Sequence, residues 1–355
     1  MNMLDQPVSR RALVACAASM SFCSTIDIGR GAQPNEPMTW IKPNALKKGD
    51  TIALIAPAGP AEPVQVLSYQ QQLERYGFRV QLDQRMLNRR KDYLAGNDDE
   101  RLQELNQAIR DPIVRGIFPV RGGFGLTRIL DRIDYKSLRK DPKIVTGYSD
   151  LTALHLAIAR KSRVITYHSP MPMSNLVKRD VPEHLYASTS FERMLMADRF
   201  PSSMAGEVIV IPTDEPLESV TAGKATGRLM GGNLSLLCAT LGTQYSIEAK
   251  GTILFLEDVN EATYRVDRLF SQLRLSGVLT CVAGIVIGQF TTKEPTERTQ
   301  IEQVVREYLK PLGCPAIYNF PVGHVANNVT LPHGAMVELD ADLPSLRLLE
   351  EPCHR

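Results

Sequence analysis

The chain has 355 residues, 43% hydrophobic and 23% charged, with 41 Lys and Arg against 39 Asp and Glu and a formal net charge of +2. This composition excludes a disordered chain and a strongly basic nucleic-acid-binding surface, and the length fits two domains better than one. None of the six cysteines forms a C-x-x-C pair, which excludes a zinc knuckle.

Residues 1–36 read as a leader or tail. Ser9-Arg10-Arg11 precedes the small-residue apolar run Ala12 to Cys23, followed by the polar stretch Gly29 to Pro37. Paired arginines, a short hydrophobic region and a small-residue exit predict a twin-arginine secretory signal and a periplasmic location, the alternative being a cytoplasmic enzyme with an N-terminal tail. The run is too short for a stable membrane span.

Residues 45–170 alternate between strand and helix patterns. Thr51 to Ala56 is a buried strand ending in the turn Pro57-Ala58-Gly59-Pro60. A helix over Val64–Tyr76, a strand over Phe78–Leu82 and a helix over Asp98–Arg110 follow. Then come a strand over Gly116–Val120, the glycine loop Arg121-Gly122-Gly123-Phe124-Gly125, and a helix over Leu126–Ile133. A strand at 143–146, a helix at 151–160 and a strand at Val164–Thr166 close the segment. The alternation predicts an α/β Rossmann-like parallel sheet covered on both faces.

Prolines 170, 172, 182, 201, 212 and 216 break the alternation, so 171–222 reads as a linker with one helix near 183–197. Residues 223–348 resume as a mixed α/β domain. It has a buried strand at Thr252–Glu257, a helix at Tyr264–Leu275, a strand at Gly284–Gly288 and a helix at 296–309. A strand at Ala316–Phe320 and a strand pair near 329–348 complete it.

The segment Gly147-Tyr148-Ser149-Asp150 joins a strand to a helix. A sharp strand-to-helix turn exposes the serine at the carboxyl edge of a sheet, with backbone N–H groups of the first helical turn beside it. That is the arrangement of a serine nucleophile with half an oxyanion hole, although Ser-Asp before a helix is also a good N-cap. The glycine loop lets backbone approach a bound group and donate to an oxyanion or a carboxylate. It lacks the spacing of a dinucleotide or P-loop fingerprint.

A nucleophilic serine needs a base and an acid that orients the base. Among the six histidines, His324 follows a strand and a glycine, while His168 and His333 lie near turns and stay open as bases. The acid is one of Glu257, Asp258 or Glu261. Glu257 ends a very apolar run, and a buried carboxylate implies a partner. Glu261 and Arg265 have the spacing of a helical ion pair.

Taken in order, several segments over about residues 45–342 resemble the LD-carboxypeptidase family, which includes murein-tetrapeptide carboxypeptidases and microcin-immunity peptidases. The segments are Gly49 to Pro57, Tyr93-Leu94-Ala95-Gly96 with Asp98 to Arg101, Arg121 to Gly125, and Gly147 to Asp150. Gly231-Gly232-Asn233-Leu234, Leu256-Glu257-Asp258 with Glu261 and Tyr264-Arg265, and Gly323-His324 continue the match. The resemblance implies Ser149 as nucleophile, His324 as base and Glu257 as its orienting acid. It also implies backbone N–H groups of Asp150 and of Gly122 or Gly123 as the oxyanion hole.

The resemblance further implies an N-terminal Rossmann-like domain, a C-terminal domain of mixed α/β structure with β-barrel-like character, no metal or cofactor, and a homodimer. The implied reaction is cleavage of the L,D bond to the terminal D-alanine of murein tetrapeptides. Arg121, Asn233, Glu261 and Arg265 are the substrate-binding candidates. Two other activities stay in view: an amidase or peptidase acting on a peptide-nucleotide antibiotic, and a non-catalytic periplasmic peptide-binding module. Where the family pattern suggests leucine, this chain has His333, a competing site residue.

Overall fold

Apolar residues that alternate along a strand face opposite sides of a sheet, and here they feed different cores. The computed structural model describes residues 38–171, 182–199, 203–209 and 216–355, with the side chains of 182–184 left aside. The twin-arginine segment lies outside the described residues.

Strands β1 (Thr51–Ile55), β2 (Arg79–Leu82), β3 (Val114–Pro119), β4 (Ile144–Gly147) and β5 (Thr166–His168) are parallel, in the order β2-β1-β3-β4-β5. This is an order of doubly wound α/β sheets, whose ligand crevice opens at the carboxyl ends of the strands where the order reverses. Ile52, Leu54, Phe118 and Ile144 face one core with Val66, Tyr69 and Leu73 of α1 (Pro63–Arg75). Ala53, Ile55, Ile117 and Val145 face another with α2 (Asp98–Arg110) and α4 (Leu151–Lys161). An Asn97–Glu100 capping box starts α2.

The helix expected over Leu126–Ile133 is instead two short 3-10 turns, Leu126–Arg128 and Leu130–Arg132, followed by α3 (Tyr135–Lys140). Ile129, at φ −125°, interrupts a continuous helix. The last strand of this half begins two residues later than its pattern suggested, and the linker segment contains α5 (Pro182–Leu195) and β6 (Glu218–Thr221).

The second sheet adds β7 (Lys224–Asn233), β8 (Ile253–Val259), β9 (Gly284–Thr291) and β10 (Ala316–Tyr318), all parallel. Of the last three strands, β11 (Leu331–His333), β12 (Met336–Asp340) and β13 (Ser345–Leu348), the latter two join it antiparallel, giving the order β13-β12-β7-β8-β9-β10-β6. Helices α6 (Leu234–Thr240), α7 (Thr263–Leu275), α8 (Val278–Cys281) and α9 (Pro295–Leu309) follow its strands. One face, Leu254, Leu256, Ile285 and Ile287, packs on α7 and α9. The other, Ile253, Phe255 and Val286, shares a core with the first sheet. Each such fully buried aliphatic side chain stabilises by roughly 1.5–3 kcal/mol.

The strand pair expected near 329–348 divides between the sheets. β12 pairs with β13, but β11 adds antiparallel to β5 of the first sheet, with Leu331 opposite His168. Residues 39–355 therefore form one compact unit built on two sheets with a common core.

Candidate active site

The turn after β4 has the backbone of a nucleophile elbow. Ser149 sits at φ +63°, a left-handed conformation that costs a non-glycine residue of order 1–3 kcal/mol. The first α4 hydrogen bonds, Leu151 N–H to Tyr148 and Thr152 N–H to Ser149, begin immediately after it. Neither Ser149 nor Asp150 caps the helix with its side chain. The ordinary explanation of a Ser-Asp pair before a helix thus does not account for this one. Asp150 is buried and turns its carboxylate to the Leu126 N–H at 2.9 Å. Burial pushes its pKa up to about 6, against the opposing effects of that hydrogen bond and of Arg101.

The glycine loop after β3 lies against the elbow. A Cβ on Gly122 would stand 3.0 Å from Ser149 Cβ, 3.2 Å from its Oγ and 3.4 Å from the Asp150 nitrogen. Only a residue without a side chain lets backbone come this close to the hydroxyl. The Gly122 carbonyl in turn accepts from Gly59 N–H at 2.9 Å, which ties the loop to the turn after β1.

The candidate acid and base come from the second sheet. Glu257, near the carboxyl end of β8, is 0% exposed, and its Oε2 meets His324 Nδ1 at 2.8 Å. His324 lies in the loop after β10, 19% exposed. Gly323, at φ +124°, brings that loop against the acid. A Cβ there would fall 2.8 Å from Glu257 Oε2 and 2.9 Å from its Cβ.

Burial alone would lower the His324 pKa, but the Glu257 charge and hydrogen bond raise it above the ordinary imidazole value. With Nδ1–H donated to the carboxylate, Nε2 of the neutral ring is left as the proton acceptor. The ring packs edge-on against Tyr148 at 4.8 Å between centroids, so base and nucleophile are joined through the residue that precedes the serine. Among the described residues the Ser149 hydroxyl has no hydrogen bond to the imidazole. Such bonds are often made only once substrate is bound.

The alternative acids are engaged elsewhere. Asp258 accepts from Asn233 Nδ2 at 2.9 Å and from Ser235 Oγ at 2.7 Å, and Glu261 pairs with Arg265 at 3.6 Å. The alternative bases are interior side chains. His168 and His333 are buried in β5 and β11 with pKa values held well below the imidazole range, first by burial and then by neighbouring histidines. His333 stacks on His155, so burial corrects its reading as a competing site residue. His155, pushed down to about 4 by burial, bonds Thr166 Oγ1 and the Gly147 carbonyl, each at 2.8 Å.

The substrate-binding candidates separate in the same way. Asn233 is buried: its Oδ1 caps α6 through Leu236 N–H and its amide is given to Asp258, so its side chain is committed within the fold. Arg265 is exposed beside Tyr264 and Glu261. Arg121 is exposed and donates to the Pro60 carbonyl at 3.1 Å, at the edge of the glycine loop. Sequence reasoning missed Tyr148 as the ring behind the base, Arg101, and the Asp150 carboxylate. Arg101 was detectable in principle, since it lies four residues before Leu105 on the apolar face of α2. Among the described residues no group of three or more His, Cys, Asp or Glu side chains is placed to hold a metal ion.

Two family models match the chain. The LD-carboxypeptidase N-terminal domain matches residues 52–169 and the C-terminal domain matches 226–339. A probable murein peptide carboxypeptidase of Bacillus subtilis (strain 168) is 39% identical over 304 residues, 84% of this chain and 91% of the relative. Among solved structures, MccF in complex with glutamyl sulfamoyl guanosine superposes with a TM-score of 0.80 at 26% identity, covering 88% of this chain and 99% of the other. The muramoyltetrapeptide carboxypeptidase from Oxalobacter formigenes does so with a TM-score of 0.70 at 28% identity, covering 84% and 97%.

Proposed function

Because the chain belongs to the LD-carboxypeptidase family, we propose that it is a serine carboxypeptidase that releases the terminal D-alanine of murein tetrapeptides by cleaving the L,D bond. The observation that carries the reading is the 2.8 Å bond between a fully buried carboxylate and an imidazole packed on the residue next to Ser149.

In this reading Ser149 Oγ attacks the scissile carbonyl and His324 Nε2 takes its proton. Glu257 holds the imidazole in the required tautomer and stabilises its protonated form. The backbone N–H groups of Asp150 and of Gly122 or Gly123 receive the oxyanion, each donor worth about 3–4 kcal/mol in the transition state. His324 then returns the proton to the departing D-alanine amine, and a water activated by the same imidazole hydrolyses the acyl-enzyme. Arg121 and the glycine loop meet the terminal carboxylate of the substrate, and Glu261 and Arg265 contact the rest of the peptide. The leader places the enzyme in the periplasm, where it acts as a homodimer that trims peptides.

Incubating the purified protein with murein tetrapeptide should release one D-alanine per peptide, seen by mass spectrometry. Intact tetrapeptide after prolonged incubation overturns the assignment. The likeness to MccF bound to a sulfamoyl nucleoside favours one second reading, hydrolysis of an aminoacyl nucleotide analogue. Cleavage of glutamyl sulfamoyl adenosine without D-alanine release would move the assignment there. Against it, the single tryptophan, Trp40, already has the guanidinium groups of Arg163 and Arg228 over its ring. A pure binding module is excluded if Ser149→Ala abolishes turnover while retaining affinity for the peptide.

A further inference from the structure

We propose that Asp150 and Arg101 are positioning residues that lock the glycine loop against the nucleophile by gripping one of its peptide groups from both sides. The inference rests on the serine-hydrolase reading above, but not on the identity of the substrate.

The peptide group in question joins Gly125 to Leu126. Its carbonyl accepts from Arg101 Nη1 at 2.9 Å, and its N–H donates to Asp150 Oδ2 at 2.9 Å. A peptide plane held at both its oxygen and its nitrogen cannot rotate without breaking two hydrogen bonds to ionisable groups, which are stronger than those between neutral groups. This matters here because the loop has three glycines in four positions, with Gly123 at φ +106° and Gly125 at φ +145°. Glycine places little restriction on φ and ψ, so an unrestrained loop of this composition would readily turn its N–H groups away from the oxyanion.

The grip extends in both directions. Arg101 Nη1 also donates to the Pro57 carbonyl at 2.5 Å, joining the turn after β1 to the glycine loop. Arg101 Nη2 binds Asp98, and Asp98 holds Arg128 three residues past Gly125. At the front of the loop, Gly59 N–H donates to the Gly122 carbonyl. Both gripping side chains are fully buried. Asp150 Oδ1 has no hydrogen-bond partner among the described residues, and Arg101 Nε has none either. Incompletely satisfied buried ionisable groups are costly, and an apolar pair would fill this space more cheaply. What the costly pair provides is a fixed peptide orientation beside Ser149.

The test uses the full-length protein and two measurements. A fluorophosphonate probe reports oxyanion stabilisation whatever the natural substrate: the Ser149 Oγ–P bond forms, P–F breaks, fluoride leaves and the imidazole takes the proton. Its rate is read by intact-mass spectrometry, alongside kcat and KM for murein tetrapeptide. Asp150→Ala should slow labelling and lower kcat by roughly 100-fold, the loss of about one oxyanion donor, with KM within about threefold.

Asp150→Asn, which keeps an acceptor for Leu126 N–H, should recover to within about tenfold of wild type. Arg101→Lys, which cannot reach both carbonyls in one plane, should lose roughly 10-fold or more. Labelling of Asp150→Ala within threefold of wild type, an effect confined to KM, or no rescue by Asn overturns the proposal. If Asp150→Ala does not fold, amide exchange of Leu126 in Asp150→Asn decides: protection as in wild type supports the grip, and free exchange at wild-type rates of labelling overturns it. Wild-type protein that is labelled but releases no D-alanine overturns the substrate assignment alone, and the labelling rates still decide this proposal.

Discussion

His324 and the histidines of the interior behind the elbow are the same side chain in opposite electrostatic states. His155, His168 and His333 are buried without a carboxylate and are held neutral, their pKa values lowered by desolvation. His324 is also largely buried, yet its pKa is raised, because Glu257 outweighs the same desolvation. Burial alone thus holds an imidazole neutral, and burial beside a carboxylate raises its proton affinity instead. The contrast separates His324, the proposed base, from the three interior histidines.

Removing the base is the severest way to sharpen the comparison. His324→Ala should lower kcat by about 10³-fold or more with little change in stability, whereas His168→Phe should leave kcat within about threefold and act on thermal unfolding. Equal kcat losses in the two variants would erase the distinction. Glu257→Gln comes next, with a loss of about 10²–10⁴-fold in kcat, because the ring loses both its orientation and the stabilisation of its cation. Gly323→Ala attacks the same pair sterically, since the new methyl would meet the Glu257 carboxylate at 2.8 Å. A loss of roughly 10–100-fold in kcat/KM is expected for misplacement of this size, checked against a melting curve.

The pH profile tests the electrostatics directly. Only neutral His324 accepts the serine proton, so kcat/KM should fall as pH drops through its raised pKa, with a midpoint above the ordinary value of about 6.5. The residual activity of Glu257→Gln should show a lower midpoint. For His155 the sign is reversed. Its folded pKa of about 4 lies below the unfolded value, so its contribution is present above about pH 6.5 and lost as pH falls through about 4. The smallest effect expected is therefore in acid. The stability difference between pH 7 and pH 4.5 should shrink by roughly 2 kcal/mol in His155→Gln, measured by urea unfolding.

The strand-to-helix turn at Ser149, the glycine loop and the parallel first sheet were legible in the sequence because each is local. An apolar run ending in glycine, followed by helical spacing, specifies its own geometry. The acid was not resolved locally. Glu257, Asp258 and Glu261 lie within five residues, and what separates them is the partner each meets: His324 for Glu257, Asn233 and Ser235 for Asp258, Arg265 for Glu261. The helix expected over 126–133 failed for a similar reason. Its apolar spacing is helical, but Ile129, at φ −125°, splits the run into two 3-10 turns, and Leu126, Ile129 and Leu130 are taken into the core shared with α2 and α4. Asn233 was read as a substrate contact from its motif; register places it beside Glu257 at the end of β7, where its amide also caps α6 and binds Asp258.

Strand β11 gives the chain an assembly order. The sheet that carries the serine has its final edge supplied by residues 331–333, beyond every other functional side chain in the sequence. A ribosome that has released only the N-terminal half has made Ser149 but not the strand that borders its sheet, nor Glu257 and His324. In the proposed mechanism, Ser149 therefore waits for its partners until residues 324–333 have been made and docked.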